Sequence, residues 1–388
     1  MGIGKKILVG LAVIVGLIGV LFTGFRIFLA LNSGDIGKPD DSVLRPSSVI
    51  VPKEENAFYD LKQAADSLVL VKADEQVVLD MSNGKNWNDA LANKIVNDNT
   101  AAFAAFDRAS WKKSYQDTAV QVDPKTLNAD TELTSTSKVR QVAQVSVIKS
   151  MLLFRQGKEK EAFDNTLNIL YVGQMLENSP RTNLIGFLVG MSIKGRGIKN
   201  IQTMAQTRRL SSGELKAYAS KIEKFKGNTM GLQEAFRMEY TKEDNTREQA
   251  LLKSNYYYKP NETQKLFIDL YQGYVDSSVR LCSEIRPHSI QVERSVVGVL
   301  FTENAIGKIL VDVLGSSLNG AFMKRCEEEF SVIQTQITLA SQAYKVDKGA
   351  YPTSLTQLAP EYLPQVSEAY NGKPITYDAN TGIVSLPK

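Results

Sequence analysis

Few residues of the chain could perform chemistry. His288 is its single histidine, which restricts every mechanism that needs one. A Ser-His-Asp triad or an H-E-x-x-H zinc site would have to use this residue, yet its setting, Arg286-Pro287-His288-Ser289, matches neither signature. We interpret His288 as a surface or loop residue. The chain also lacks phosphate-binding, dinucleotide-binding and G-x-S-x-G signatures, which disfavours nucleotide-dependent and α/β-hydrolase functions.

Paired carboxylates could perform acid/base hydrolysis of a glycan without a histidine. The candidate sets are Glu54 with Glu55, Glu243 with Asp244, and Glu327 to Glu329. Each set lies in a polar helical run, where charged side chains normally face solvent, and nothing in the sequence indicates burial that would raise one pKa. The sequence therefore predicts no catalytic residue, no cofactor-binding residue and no metal ligand, and we expect a protein that is not an enzyme.

The two cysteines, Cys282 and Cys326, are the remaining reactive residues. They lack C-x-x-C spacing, so they indicate neither a redox pair nor a zinc knuckle. In an oxidising compartment they could form one disulfide, worth about 4 kcal/mol on chain-entropy grounds. The alternative is a pair of buried free thiols in helices, and the sequence leaves both open.

Two compositional features bear on ligands. The Tyr256 to Tyr258 triplet could stack on sugar rings of peptidoglycan or pack against the core at the end of a helix, and we favour packing. The formal net charge is +4, and three basic residues at or near an apolar N-terminal run account for most of it. We therefore expect no nucleic-acid partner, because nucleic-acid binding requires a basic face.

The first structural element of the chain is that apolar run. It covers residues 7–25 and carries no charge. As a helix it would be roughly 28 Å long, close to the thickness of a hydrocarbon core. Basic residues precede it and mainly acidic residues follow it: Lys5 and Lys6 before; Asp35, Lys38, Asp40 and Asp41 after. The positive-inside rule then predicts a cytoplasmic N-terminus and an extracytoplasmic body.

We expect residues 7–31 to contact the lipid bilayer, with Arg26 reaching the headgroups at the outer edge. A cleaved signal peptide is the alternative interpretation. It is disfavoured because the apolar run is long and Ala30-Leu31-Asn32 is a poor cleavage site.

The rest of the chain predicts a mainly α fold. We expect an N-terminal transmembrane helix (1–31), a linker (32–52), an extracytoplasmic helical-hairpin domain (53–322), and a small segment with one helix and a β-hairpin (323–388). Within the helical domain, KVRQVAQVSVIKSMLLFRQG and EAFDNTLNILYVGQMLENSP resemble one tetratricopeptide-type hairpin. A repeat array is the alternative, although no second copy is present. Ser211 and Glu214 form a capping box that predicts a helix start.

Several stretches carry a wider resemblance, among them VPKEENAFYDLKQAADSL, YKPNETQKLFIDLY and AYKVDKGAYPTSLTQLAPEYLPQVSEAYNGKPITYD. Over most of its length the chain resembles uncharacterised, membrane-anchored bacterial envelope proteins of a planctomycete-like group. The final segment is similar to the C-terminal part of type II secretion pseudopilins, with its Y-x-x-D-x-G-x-Y-P-T pattern. A pseudopilin start carries a glutamate after its cleaved glycine, and Gly24-Phe25-Arg26-Ile27 offers none.

The sequence therefore favours a single-pass, membrane-anchored protein of the cytoplasmic membrane that binds or scaffolds another envelope protein or peptide. One alternative is a pseudopilin-like component of a secretion apparatus. The other is a carboxylate-dependent enzyme that acts on peptidoglycan.

Overall fold

The computed structural model describes residues 3–117, 129–207, 210–227, 229–249, 254–286, 295, 298–299, 301–366 and 368–386. The fold is mainly helical, as predicted. The chain divides into two compact units: Met1–Leu44, Glu243–Gly273 and Pro287–Asn319 form the first, and Arg45–Lys242, Tyr274–Arg286 and Gly320–Lys388 form the second. These units differ from the predicted continuous domains 53–322 and 323–388 because the chain leaves and re-enters each unit.

The first unit contains α1 (Ile3–Leu31) and parts of three later helices, α10 (Thr229–Gln249), α11 (Pro260–Ser277) and α12 (Ala305–Lys348). The carboxylate of Asp35 accepts hydrogen bonds from the backbone N–H groups of Asn261 and Glu262, and so it satisfies donors at the start of α11. These bonds connect the end of α1 to α11.

Asn304 organises the start of α12 in the same unit. It is fully buried and has a positive φ of 54°, which asparagine tolerates better than most residues. Its side-chain oxygen accepts from the backbone N–H of Lys259 and from the hydroxyl of Thr263. Gly307 lies against Thr263, so that a Cβ at position 307 would be 2.0 Å from the threonine Oγ1. The start of α12 is therefore packed closely on α11.

Two helices bear on the predicted membrane segment. In α1, the large apolar side chains of the described stretch are mostly exposed: Ile14, Val15, Leu17, Ile18, Val20, Leu21, Phe22, Ile27 and Phe28. By length and hydropathy alone, α12 is the one helix among the described residues that could cross a membrane, and Ile14–Leu29 is a shorter apolar helix.

The second unit holds the helical body. Its N-terminal helices are α2 (Phe58–Asp66), α3 (Glu75–Ser82), α4 (Asp89–Asp98) and α5 (Thr100–Ser110). They pack on the hairpin formed by α6 (Ala129–Arg155) and α7 (Glu159–Glu177), and Gly157, at φ +79°, turns the chain between these two helices. The predicted capping box at Ser211 and Glu214 is present, and it begins α9 (Ser212–Ile222).

Glycines allow α7 and α8 (Leu184–Ala205) to approach each other closely. A Cβ at Gly173 would lie 2.7 Å from the backbone nitrogen of Lys194, and one at Gly190 would lie 2.7 Å from the carbonyl oxygen of Gly173. Only glycine fits at such contacts with backbone atoms. This crossing places the end of α7 directly beside the middle of α8.

The C-terminal segment differs from the prediction in two ways. Its helix is part of α12, which begins at Ala305 and continues without a break to Lys348, instead of starting after residue 322. After it come two separate antiparallel pairs, β1 (Ala369–Tyr370) with β2 (Lys373–Pro374), and β3 (Thr376–Asp378) with β4 (Ile383–Ser385). Tyr370 and Val384 are buried in the same core cluster as the second half of α12.

Candidate functional site

The predicted carboxylate pairs outside α12 do not form a site among the described side chains. Glu54 is exposed, and Glu55 makes an ion pair with Lys113 at 2.5 Å. The side chains of Glu243 and Asp244, and all of His288, lie outside the described residues.

Of the tyrosine triplet, Tyr256 and Tyr258 are each 5% exposed. The Tyr256 hydroxyl donates a hydrogen bond to the carbonyl oxygen of Phe301. Packing, the favoured interpretation of this triplet, is therefore confirmed for these two residues.

The third carboxylate set corrects the expectation that these side chains face solvent. Glu327 is exposed and pairs with Lys324 at 2.6 Å, as the prediction requires. Glu328 is 7% exposed, and it lies on the face of α12 that also carries the buried residues Arg325 and Val332. Positions three and four apart share one helix face, so neighbouring glutamates can have opposite environments.

Glu328 belongs to a buried charge cluster that also contains Glu177 of α7 and Lys194 of α8. The Lys194 Nζ atom is 2.5 Å from Oε2 of Glu177 and 3.1 Å from Oε2 of Glu328. The side chains of Lys194 and Glu177 have no exposed surface, and that of Glu328 has 6%. One ammonium group therefore faces two carboxyl groups in an environment with almost no water.

Burial controls the ionisation of this cluster. Burial raises the pKa of Glu328 well above its ordinary value, and the nearby charge of Glu177 raises it further. Burial also raises the pKa of Glu177, although Lys194 counteracts this effect. For Lys194, burial alone would lower the pKa, but the two carboxyl groups outweigh it and the pKa is raised. These directions favour a neutral cluster with ionised Lys194 and Glu177 and protonated Glu328.

A groove between α8 and α12 meets this cluster at Glu328. Its volume is about 350 Å³, and its lining comprises Leu188, Met191, Ser192, Gly195, Lys324, Glu327, Glu328 and Ser331. Oε1 of Glu328 has no hydrogen-bond partner. The groove therefore has an apolar wall formed by Leu188 and Met191, and the buried Glu328 side chain lies beneath it.

The carboxyl groups near this groove are not arranged as in a paired-carboxylate glycosidase. A glycosidase places its two carboxyl groups on opposite sides of the scissile bond. Here Glu177 and Glu328 both contact the ammonium of Lys194, and the other carboxylate of the lining, Glu327, is the chain neighbour of Glu328.

Cys326 lies on α12, two residues before Glu328, and Cys282 lies in a separate short helical turn, Cys282–Glu284. Cys282 and Cys326 form a disulfide, which decides between the two alternatives left open by the sequence. Arg325 is 2% exposed, and its guanidinium donates hydrogen bonds to the carbonyl oxygens of Ser278 and Arg280. The disulfide and Arg325 together fix the segment before Cys282 to α12.

Sequence reasoning missed Glu177 and Lys194. Lys194 directly follows the apolar core of α8, where the sequence becomes more polar. It lies one turn from Gly190, on the face that contacts α7. A lysine among glycines on an interhelical face was the available signal. That signal can be used only if the buried face of α8 is already known.

Comparisons of the chain with protein-family models, with curated proteins and with solved structures gave no match.

Proposed function

We propose that the chain is a single-pass, membrane-anchored protein of the bacterial cell envelope, with an extracytoplasmic helical body that binds or scaffolds an envelope protein or peptide. The observation that carries this proposal is the surface of α1. Its apolar side chains between Ile14 and Phe28 are largely exposed, with Leu21 at 71% and Phe22 at 63%. Such a contiguous apolar surface favours a lipid environment over water.

The disulfide supports the extracytoplasmic side. Disulfides persist in exported proteins and are rare in the reducing cytosol. The Cys282–Cys326 bond lies in the second unit, with both partners in described residues. It agrees with the charge asymmetry around residues 7–25, which also favours an exported body.

The groove between α8 and α12 supports a binding role. Met191 is nearly buried and Leu188 is 37% exposed, so they can cover one large apolar side chain. The groove volume of about 350 Å³ is at the low end of the range for ligand sites. Ser192 and Ser331 add hydroxyl groups at the lining. We expect this groove to receive an apolar side chain of a partner peptide, with its backbone near the hydroxyl groups.

Extraction of membranes tests the anchor. Membranes that contain the full chain should retain it after washing with alkaline carbonate and release it in detergent. Replacing Ile18 and Leu21 by lysine should prevent stable insertion, because each lysine costs about 3 kcal/mol at the centre of a span. The matched control is Val49→Lys, which changes an exposed apolar residue outside α1. Release of the unmodified chain by carbonate would contradict the proposal.

A further inference from the structure

The first part of α12 has an apolar outer face that no described residue covers. Ile306, Ile309, Leu310 and Val313 have the i, i+3, i+4, i+7 spacing of one helix face, and they are 44%, 37%, 42% and 60% exposed. Phe301, just before the helix, is 65% exposed. We call these five residues the lateral stripe. Four of its large apolar side chains share one helix face, whereas exposed apolar residues on a monomer are usually scattered.

The opposite face of the same helix segment is already used for packing. Ala305, Val311 and Leu318 are buried, and Gly307 lies against Thr263 of α11. A surface helix normally has one apolar face and one polar face, and a helix that is apolar on both sides is normally covered on both. The lateral stripe therefore needs a second apolar environment besides the protein core.

Aromatic contacts place one end of the lateral stripe beside α1. The ring centroid of Phe301 is 6.3 Å from that of Phe25. Phe28 and Tyr256 are similarly close, at 5.2 Å, and the Tyr256 hydroxyl donates to the carbonyl oxygen of Phe301. Phe25 is the last residue of the uncharged run 7–25. Phe301 therefore lies at the depth where α1 leaves the hydrocarbon core.

Polar contacts also connect the segment after α1 to the start of α11. Ser254 donates a hydrogen bond to the carbonyl oxygen of Ser33, and Asp35 accepts from the first turn of α11. Lys259 pairs with Glu303, directly before α12. The end of α1, the start of α11 and the start of α12 are thus joined within the first unit.

We propose that the lateral stripe lies in the interfacial layer of the bilayer that holds α1, so that the first unit is immersed at the membrane surface as well as anchored to it. The occupant of this surface is lipid because a bilayer that covers α1 as far as Phe25 must also reach Phe301. Phenylalanine and leucine side chains are typical of the apolar face of helices that lie in this layer. An amphipathic helix face binds there through its buried apolar area. This inference rests on the proposed anchoring of α1.

Lipid-quenching fluorescence tests the proposal on the full chain in phosphatidylcholine and phosphatidylglycerol vesicles. Single cysteines at Val313, Leu17 and Lys265 would carry an environment-sensitive fluorophore, and the native cysteines do not react because they form a disulfide. Val313 and Leu17 are exposed apolar residues of the stripe and of α1, and Lys265 is an exposed polar residue of α11 in the same unit. Lipids with a quencher at a shallow or a deep acyl position report depth.

We expect the label at Val313 to be quenched several-fold more by shallow-quencher lipids than the label at Lys265. The label at Leu17 should be quenched best by the deep position. Deep quenching at Leu17 with no excess at Val313 overturns the lateral stripe and leaves the anchor intact. No quenching at Leu17 overturns the proposed anchoring, and the inference with it. A label at Val313 that is shielded from water but not quenched by lipid means that a second copy covers the stripe, which also overturns the inference.

Discussion

Because Glu328 is buried, its ionisation makes the free energy of unfolding depend on pH. Its pKa in the folded state lies well above its ordinary value of 4.5, because of burial and the nearby Glu177. Between these two pKa values the folded protein binds more protons than the unfolded chain. The free energy of unfolding therefore falls as the pH rises through that range.

Glu328→Gln removes this ionisation and keeps the size of the side chain. Below about pH 4.5 Glu328 is protonated in both states, so the variant and the unmodified protein should have similar stability there. At neutral pH we expect the variant to be more stable, by about 1.4 kcal/mol for each unit by which folding raises the pKa of Glu328, because only the glutamate favours the unfolded chain by ionising there. Denaturant unfolding from pH 4 to pH 9 measures the difference.

Glu327→Gln is the matched control for this prediction. Glu327 is exposed and belongs to a surface ion pair with Lys324, so its loss should change stability by less than about 1 kcal/mol at any pH. A Glu328→Gln variant that is less stable than the unmodified protein at neutral pH would contradict the assignment. It would mean that Lys194 needs two ionised partners.

The candidate site was predictable only in part at this scale. The run Glu327 to Glu329 was identified as a candidate from its charge, but the sequence does not reveal which of its members is buried. That depends on the face of α12 that packs on α8. Lys194 and Glu177 come from two other helices, and only the tertiary fold brings them to Glu328.

At the scale of elements, the close contact between α7 and α8 positions the charge cluster. Gly190 is as tightly constrained as Gly173, since an added Cβ would lie 2.7 Å from the carbonyl oxygen of Gly173 and 2.8 Å from the backbone nitrogen of Glu177. Neither backbone atom can move without moving its helix. The distance between Lys194 and Glu177 therefore depends on this glycine.

Gly190→Ala should destabilise the protein by about 1 to 3 kcal/mol, because overpacking must separate the two helices. Gly195→Ala is the control on the same helix. A Cβ there meets no atom within 4 Å, and we expect alanine to stabilise the helix by about 0.5 to 1 kcal/mol. Thermal and urea unfolding of both variants give the comparison. Equal effects of the two substitutions would contradict the close crossing.

Local signals predicted some elements well and others poorly. The hairpin of α6 and α7 and the capping box at Ser211 follow from short-range rules, and both are present. The continuity of α12 does not follow from such rules, because Asn319-Gly320 has the composition of a turn. Packing of the flanking residues Leu318, Ala321 and Phe322 keeps this segment helical. Tertiary contacts overrode the local preference there.

At the scale of the whole molecule, the first unit contains the exposed apolar helix α1, and the second contains the disulfide-bonded helical body. The mainly helical class was predictable because long apolar periodicities determine it. The division into units was not, because each unit is assembled from three separate parts of the chain. Sequence proximity carries no information about such assembly.

The orientation of the chain in the membrane is the most direct test of the proposal that α1 anchors an exported body. Alkaline phosphatase, which is active only after export, and a fluorescent protein that folds only in the cytoplasm would be fused in turn after Lys388 of the full chain. We expect an active phosphatase and a dark fluorescent protein, because two lysines precede the apolar run 7–25 and the proposed exported body follows it. An inactive phosphatase fusion together with a bright fluorescent fusion would place the body in the cytoplasm and contradict the account.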